Sequence, residues 1–204
     1  MTLENKLGID NSAELANVEE KISKTKAIEL FEKGILNSLE CGTFASLIAI
    51  HKYLFDEIYN FAGEIRTVNI TKGNFRFAPI MYLKSALECI EKMPQTTFEE
   101  IVDKYVEMNI THLFREGNGR SIQIWLDLIL KKRTPKGRRL EQNRQRRLSF
   151  GNGAQSDKNH RIKELLRQAL TSDIDNREVY MKGIDASYNY EGYFTYKTQD
   201  LKNG

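Results

Sequence analysis

The segment His112-Leu113-Phe114-Arg115-Glu116-Gly117-Asn118-Gly119-Arg120 gathers within one short stretch the groups needed to work on a phosphate. His112 supplies an imidazole, the usual side-chain general base, able to take the proton of an incoming hydroxyl. Glu116 offers a carboxylate for Mg2+, an ion that takes one or two carboxylates and fills its shell with phosphate oxygens. Gly117 and Gly119 let the backbone approach a ligand closely. An apolar helical run follows, so the unpaired N–H groups of a helix N-terminus face this loop and favour an anion, phosphate above all. Asn118 can donate to the same phosphate, and Arg120 adds a planar fork for its oxygens. Any one of these is an ordinary loop residue. Their order and closeness point to phosphate-centred group transfer.

The elements that must position this loop are helical. Leu47, Ile50, Leu54, Ile58 and Phe61 recur at three- and four-residue steps, as do Leu83, Leu87 and Ile90, and Ile101, Val102, Tyr105 and Met108. Ile122, Trp125, Leu126, Ile129 and Leu130 form a face broad enough for a central, buried helix. Ile162, Leu165, Leu166, Ala169 and Leu170 predict a further amphipathic helix. One stretch differs: Thr67-Val68-Asn69-Ile70 and Phe75-Arg76-Phe77 flank Thr71-Lys72-Gly73-Asn74 as strand, turn and strand, and Pro79 ends the pairing. The expectation is an all-α domain with one projecting β-hairpin. His51 falls in an apolar helical pattern and is expected to be a satisfied core histidine, and Phe114 to anchor the loop in the core.

Composition narrows the function classes. A chain of 204 residues, 40% hydrophobic and 29% charged, suits one domain spanning 1–204. No run of 18 apolar residues exists, and Met1-Thr2-Leu3-Glu4-Asn5-Lys6 lacks the basic and apolar regions of a signal peptide. A cytoplasmic protein without membrane contact is expected, with Cys41 and Cys89 as buried thiols rather than a disulfide. The net charge of +3 is concentrated: residues 133–160 carry +6 and the remainder −3. That island holds one aromatic, Phe150, so a nucleic-acid surface with base-stacking rings is not expected.

With these residues in view, the motif resembles the Fic family signature, His-x-Phe-x-Asp/Glu-Gly-Asn-Gly-Arg-x-x-Arg. The resemblance implies a compact helical Fic-type fold. It implies transfer of AMP from ATP onto a Tyr, Thr or Ser hydroxyl of a target protein, with release of pyrophosphate. By position it makes His112 the general base, Glu116 the Mg2+ ligand, and Gly117, Asn118, Gly119 and Arg120 the phosphate binders. Phe61-Ala62-Gly63-Glu64-Ile65-Arg66 is similar to the stretch before the family's flap, which aligns the target by strand pairing. The flap would lie within about 66–80, with Lys72, Gly73, Phe75 and Phe77. Ser187-Tyr188-Asn189-Tyr190-Glu191-Gly192 resembles the inhibitory motif of the small, self-inhibited class. There Ser187 and Glu191 share a helix face, Gly192 follows, and the glutamate pairs with the second motif arginine and blocks the γ-phosphate.

The sequence departs from this pattern twice. Gln123 stands where the second arginine belongs, and it cannot make a charged bidentate contact. A weaker hold on the γ-phosphate and a weaker partner for Glu191 are both implied. Residues 133–160 have only Leu140, Leu148, Phe150 and Ala154 as hydrophobics and no helical period. Dropping one nucleotide at the Arg133 codon allows a reading that resembles the family's usual continuation. This segment is therefore expected to be disordered or frame-shifted, between a core at 13–132 and C-terminal helices at 161–196. Three functions remain open: AMP transfer, transfer of another phosphate-containing group or removal of AMP, and a degenerate nucleotide- or partner-binding domain. Self-modification and homo-oligomers are further partner expectations.

Overall fold

Helix α6 (Asn118–Arg133) runs through the middle of the protein, with Ile122, Ile124, Trp125, Leu126, Leu128, Ile129 and Leu130 all buried. Apolar side chains on more than one face leave a helix no stable place at a surface. The computed structural model describes residues 2–72, 75–134, 139–140 and 155–201. Helices α3 (Phe44–Phe55), α5 (Phe98–Thr111) and α8 (Arg177–Glu191) pack on α6; α1 (Ser12–Glu32) packs on α3 and α8, α2 (Ile35–Ser38) on α1, and α4 (Ile80–Glu91) and α7 (Gln155–Gln168) on α5. Local signals start several of them. Asn11 accepts from Ala13 N and Glu14 N to cap α1, and Thr97 and Glu100 form a capping box on α5. The Trp125 indole N–H donates to Thr43 O at 3.0 Å, which ties α6 to the start of α3. Among the described residues, no helix is long and apolar enough to cross a membrane.

The all-helical architecture with a projecting hairpin holds, and its details differ from expectation. The hairpin pairs β1 (Thr71–Lys72) with β2 (Phe75–Arg76) in antiparallel register, Thr71 opposite Arg76 and Lys72 opposite Phe75. One more bond, Phe77 N to Ile70 O at 3.4 Å, extends the ladder; beyond it Val68 falls opposite Pro79, which has no N–H, and its carbonyl accepts from Arg66 instead. Helix α3 ends at Phe55, and Ile58 and Tyr59 reach the core from turns instead. Helix α7 begins at Gln155, before the expected resumption at 161, and ends at Gln168. Leu170, expected on that helix, lies in β4 (Leu170–Thr171), paired with β3 (Arg139–Leu140). Residues 135–138 and 141–154, on which the expected disorder and frame shift mostly fall, lie outside the described residues. Cys41 is buried, but Cys89 is exposed. The inward side of α4 is filled by Leu83, Leu87 and Ile90, which leaves position 89 facing out.

Helix α1 carries an unexpected polar interior. Lys24, 1% exposed, lies 3.1 Å from Glu20 Oε1 and 3.3 Å from Asp185 Oδ1, and donates to Tyr196 O. Glu20 also accepts from Thr195 N and Tyr196 N, both at 3.1 Å, and Asp185 accepts from Thr198 N and Oγ1. Burial alone would raise the Glu20 carboxyl, but the Tyr196 N–H, Lys24 and the Thr195 N–H outweigh it and hold it low. This network seats α8 and the chain after it on α1. Removing one member of a buried ion pair typically costs about 3–5 kcal/mol, because the partner stays charged and uncompensated. Lys24→Met should therefore lower the unfolding free energy in urea by that order. A cost below about 1 kcal/mol, the range of exposed pairs, would show that the network does not hold the C-terminal segment.

Candidate functional site

The motif loop closes the gap between α5 and α6, and both ends are conformationally demanding. His112 terminates α5 with φ 51 and ψ 67, the one non-glycine residue at positive φ among those described. Such a conformation costs a side-chain-bearing residue free energy and persists only where the surroundings enforce it. Gly117 precedes α6 at φ 71, and a Cβ there would collide with the Phe55 ring. Glycine is required on both counts. Between them Leu113 and Phe114 are fully buried, and Phe114 stacks on His51 with ring centroids 3.7 Å apart, so the expected anchor is in place.

His51 is the core histidine expected from its pattern, and it also supports the loop. It is 0% exposed. Its Nδ1 accepts from Gly63 N at 2.9 Å, so the ring proton lies on Nε2, which donates to Glu116 O at 2.9 Å. Burial lowers its pKa to about 4, against a favourable contribution from the Glu116 carbonyl.

Asn118 and Arg120, expected as phosphate binders, are both buried and engaged with partners within the protein. Asn118 is buried. Its Oδ1 accepts from Phe114 N at 2.8 Å and its Nδ2 donates to Phe114 O at 2.7 Å, so the side chain fixes the loop. The Arg120 side chain is 0% exposed and meets a carboxylate at each nitrogen. Nη1 donates to Glu19 Oε1, Nη2 to Glu116 Oε1 at 3.0 Å, and Nε lies 2.7 Å from Glu191 Oε2. The last contact is an ion pair without hydrogen-bond alignment at Nε. The rings of Tyr193, Phe55 and Tyr188 flank the guanidinium, with centroids 4.6, 4.9 and 5.4 Å from Cζ. Burial alone would lower the Arg120 pKa, but Glu19 and then Glu191 raise it, and the group stays charged.

Glu191 reaches this cage from the last residue of α8, and Gly192 caps the helix at φ 97. Its arginine partner is Arg120, whereas the resemblance assigns that pairing to the position of Gln123. A Cβ on Gly119 would collide with Glu191 Oε1, so the carboxylate lies against the first turn of α6. That turn has no side-chain cap of its own, and its N-cap residue is Gly117. Ser187 is half-buried on the same helix. Glu116 keeps 36% of its side chain exposed, and its Oε1 also accepts from Gly117 N. One partly open carboxylate beside a helix N-terminus suits a Mg2+ ion that arrives with phosphate oxygens. Among the described residues, no group of three or more His, Cys, Asp or Glu forms a metal cage.

The flap meets the loop through Phe77, whose ring stacks on His112 at 3.7 Å and 14°. Lys72 and Phe75 lie in the paired strands, and Gly73 lies outside the described residues. Two residues that sequence reasoning missed complete the site. Glu19 accepts from Arg120, from the Tyr193 hydroxyl at 3.0 Å and from the Tyr59 hydroxyl. Arg66 donates to backbone carbonyls at the root of the flap and at the end of α5. The available signal for Glu19 was its place between Leu15 and Ser23 on one stripe of α1; for Arg66 there was only its place before the hairpin.

Residues 43–130 match the family model described as Fic/DOC family. That match identifies this stretch as Fic/DOC in type. Over 134 residues it is 31% identical to the protein adenylyltransferase VbhT of Bartonella schoenbuchensis, an alignment covering 59% of this chain and 27% of that protein. It is 26% identical over 138 residues to the probable protein adenylyltransferase Fic of Salmonella typhimurium, covering 62% and 66% of the two chains. The chain thus spans about a quarter of one curated relative and about two thirds of the other. The fold is similar to that of the N-terminal Fic domain of an effector protein from Bartonella sp. AR 15-3, with TM-score 0.62 and 18% identity, covering 83% and 88% of the chains. It is also similar to an ADP-bound Fic domain from Bartonella quintana, with TM-score 0.60 and 18% identity, covering 83% and 91%.

The buried His51 of this Fic domain makes stability depend on pH. Its pKa of about 4 lies below the ordinary histidine value of about 6.5 in an unfolded chain, so the unfolded state binds the extra proton first. The contribution is intact above about pH 6.5 and is lost as pH falls toward 4. Linkage across that interval gives on the order of 2 kcal/mol by pH 5. His51→Phe should remove this acid dependence while lowering stability at pH 7. Parallel slopes of Tm against pH between 7 and 5 for the two proteins would contradict the assignment.

Proposed function

We propose that this Fic domain is a protein adenylyltransferase that moves AMP from ATP to a Tyr, Thr or Ser hydroxyl of a target protein and restrains itself through Glu191. The observation that carries this reading is the motif loop, which joins His112 at the end of α5 to the uncapped N-terminus of α6. Names of relatives as adenylyltransferases support the chemistry. In the reaction the target hydroxyl oxygen attacks the α-phosphorus of ATP. Its proton passes to His112, the bond from the α-phosphorus to the bridging oxygen breaks, and pyrophosphate leaves. His112 Nδ1 lies 3.4 Å from Asn109 O, an arrangement that suits a proton on Nδ1 and makes Nε2 the acceptor. The backbone N–H groups of Gly119 and its neighbours receive the phosphate. Glu116 would hold Mg2+, which supplies positive charge to the phosphate oxygens when bound. The flap would align the target chain by strand pairing.

Self-restraint follows from shared space. A phosphate against the first turn of α6 needs the place that the Glu191 carboxylate takes beside Gly119. Glu191 acts here through Arg120, so its effect does not need an arginine at position 123. Gln123 and the fully enclosed Arg120 favour a second reading, a domain that binds nucleotide without transferring it.

ATP labelled in the α-phosphate or the γ-phosphate, incubated with the protein and a lysate, separates these readings. Label from the α position alone should appear on a protein band. His112→Ala should reduce it by about 10²- to 10⁴-fold, with ATP binding retained. Glu191→Gly should increase it, with or without Gln123→Arg. Nucleotide binding without transfer in both the parent and Glu191→Gly proteins would support the second reading instead.

A further inference from the structure

Arg66 is a buried cation held by peptide carbonyls. It is 5% exposed. Its Nε donates to His112 O at 2.7 Å, Nη1 to Val68 O at 2.7 Å, and Nη2 to Ala78 O and to Thr111 O at 3.3 Å. Its own N–H donates to Leu113 O at 2.9 Å. Thr111 and His112 are at the C-terminal end of α5, where carbonyls lack helical partners and the helix dipole is negative. Val68 and Ala78 are the two roots of the hairpin that carries β1 and β2. One planar group therefore binds both roots of the flap and the carbonyl of the residue at positive φ. Phe77, next to Ala78, completes the link by stacking on the His112 imidazole.

We propose that Arg66 is a positioning residue that sets the flap and the His112 imidazole in a single geometry, so that a target chain aligned on the flap presents its hydroxyl to the base. The proposal rests on the adenylyltransferase reading for its consequence, but not for its geometry. Hydrogen bonds to four carbonyls spread over two elements require the five fixed donors of a guanidinium. A lysine concentrates its donors at one atom and cannot reach the flap and α5 together. Burial lowers the Arg66 pKa, so the fold keeps this charge against a desolvation cost.

The test compares Arg66→Lys with the parent by three measurements. In the labelling assay on a target found with α-labelled ATP, Arg66→Lys should reduce kcat by about 10²-fold, the effect of misplacing a reacting group by about 1 Å. The KM for ATP should change by less than about twofold, because the α6 nest is untouched. By NMR, the variant should shift the His112 ring resonances and speed amide exchange at residues 68–72 and 75–78. Unchanged ring resonances and unchanged exchange would overturn the proposal. Should the parent transfer no AMP while those two signals still move together, the positioning role stands and the adenylyltransferase reading fails. If Arg66→Lys does not fold, the parent alone decides. A slowly exchanging Arg66 Nε–H supports the fixed clamp, and exchange at the rate of a surface arginine overturns it.

Discussion

The guanidinium of Arg120 is the group around which the site is arranged. A charged side chain with no exposure is costly unless it is paired and its donors are used. Three carboxylates answer that requirement, from three parts of the chain: Glu19 on α1, Glu116 in the loop and Glu191 at the end of α8. Their burial is unequal, with Glu19 at 3%, Glu191 at 15% and Glu116 at 36% side-chain exposure. Glu19 is the enclosed counterion, further fixed by the Tyr59 and Tyr193 hydroxyls. The other two are more exposed. With all three in place, the cage holds more negative than positive charge, the electrostatic basis of the proposed self-restraint. In the proposed active form, withdrawal of Glu191 would leave Arg120 balanced by Glu19 and Glu116 open to a divalent cation.

This arrangement depends on where α8 lies. Lys24 and Glu20 hold α8 and the following residues through Asp185, Thr195, Tyr196 and Thr198. Helix α1 therefore supplies both the counterion of Arg120 and the seat of the helix that bears Glu191. On the opposite side of the loop, His51 holds Glu116 O and Arg66 holds His112 O. The loop is braced along its length by buried polar groups, and its conformation does not rest on the motif residues alone.

Much of this was legible in the sequence where the signal was local. The apolar period of 122–130 gave α6, and Phe114 and His51 were readable as core residues because hydrophobic neighbours surround them. The hairpin was readable as turn chemistry and its end as Pro79, but not that the Val68 carbonyl left over at that end is taken by Arg66. The contacts that could not be read are those between residues distant in the chain. Arg120 meets Glu19 across 101 positions, and Arg66 meets His112 across 46. Periodicity reports which side of a helix is apolar; it cannot report that a glutamate on the inner stripe of α1 is neutralised from another element. The loop role of Asn118 was hidden for a related reason: a polar side chain in a glycine loop can serve ligand or loop, and only the fold shows that it bonds Phe114 twice.

The unequal roles of the two flanking carboxylates can be measured through the stability of the folded protein. Urea unfolding of Glu19→Gln, Glu191→Gln and the double variant at pH 7 keeps side-chain volume while removing one charge at a time. If Glu19 is the fixed counterion, Glu19→Gln should cost about 3–5 kcal/mol, the range for an abandoned buried charge. Glu191→Gln should cost clearly less, because its carboxylate is 15% exposed against 3% for Glu19. Equal costs, or a larger cost at Glu191, would contradict a cage built on Glu19 with Glu191 as its releasable member.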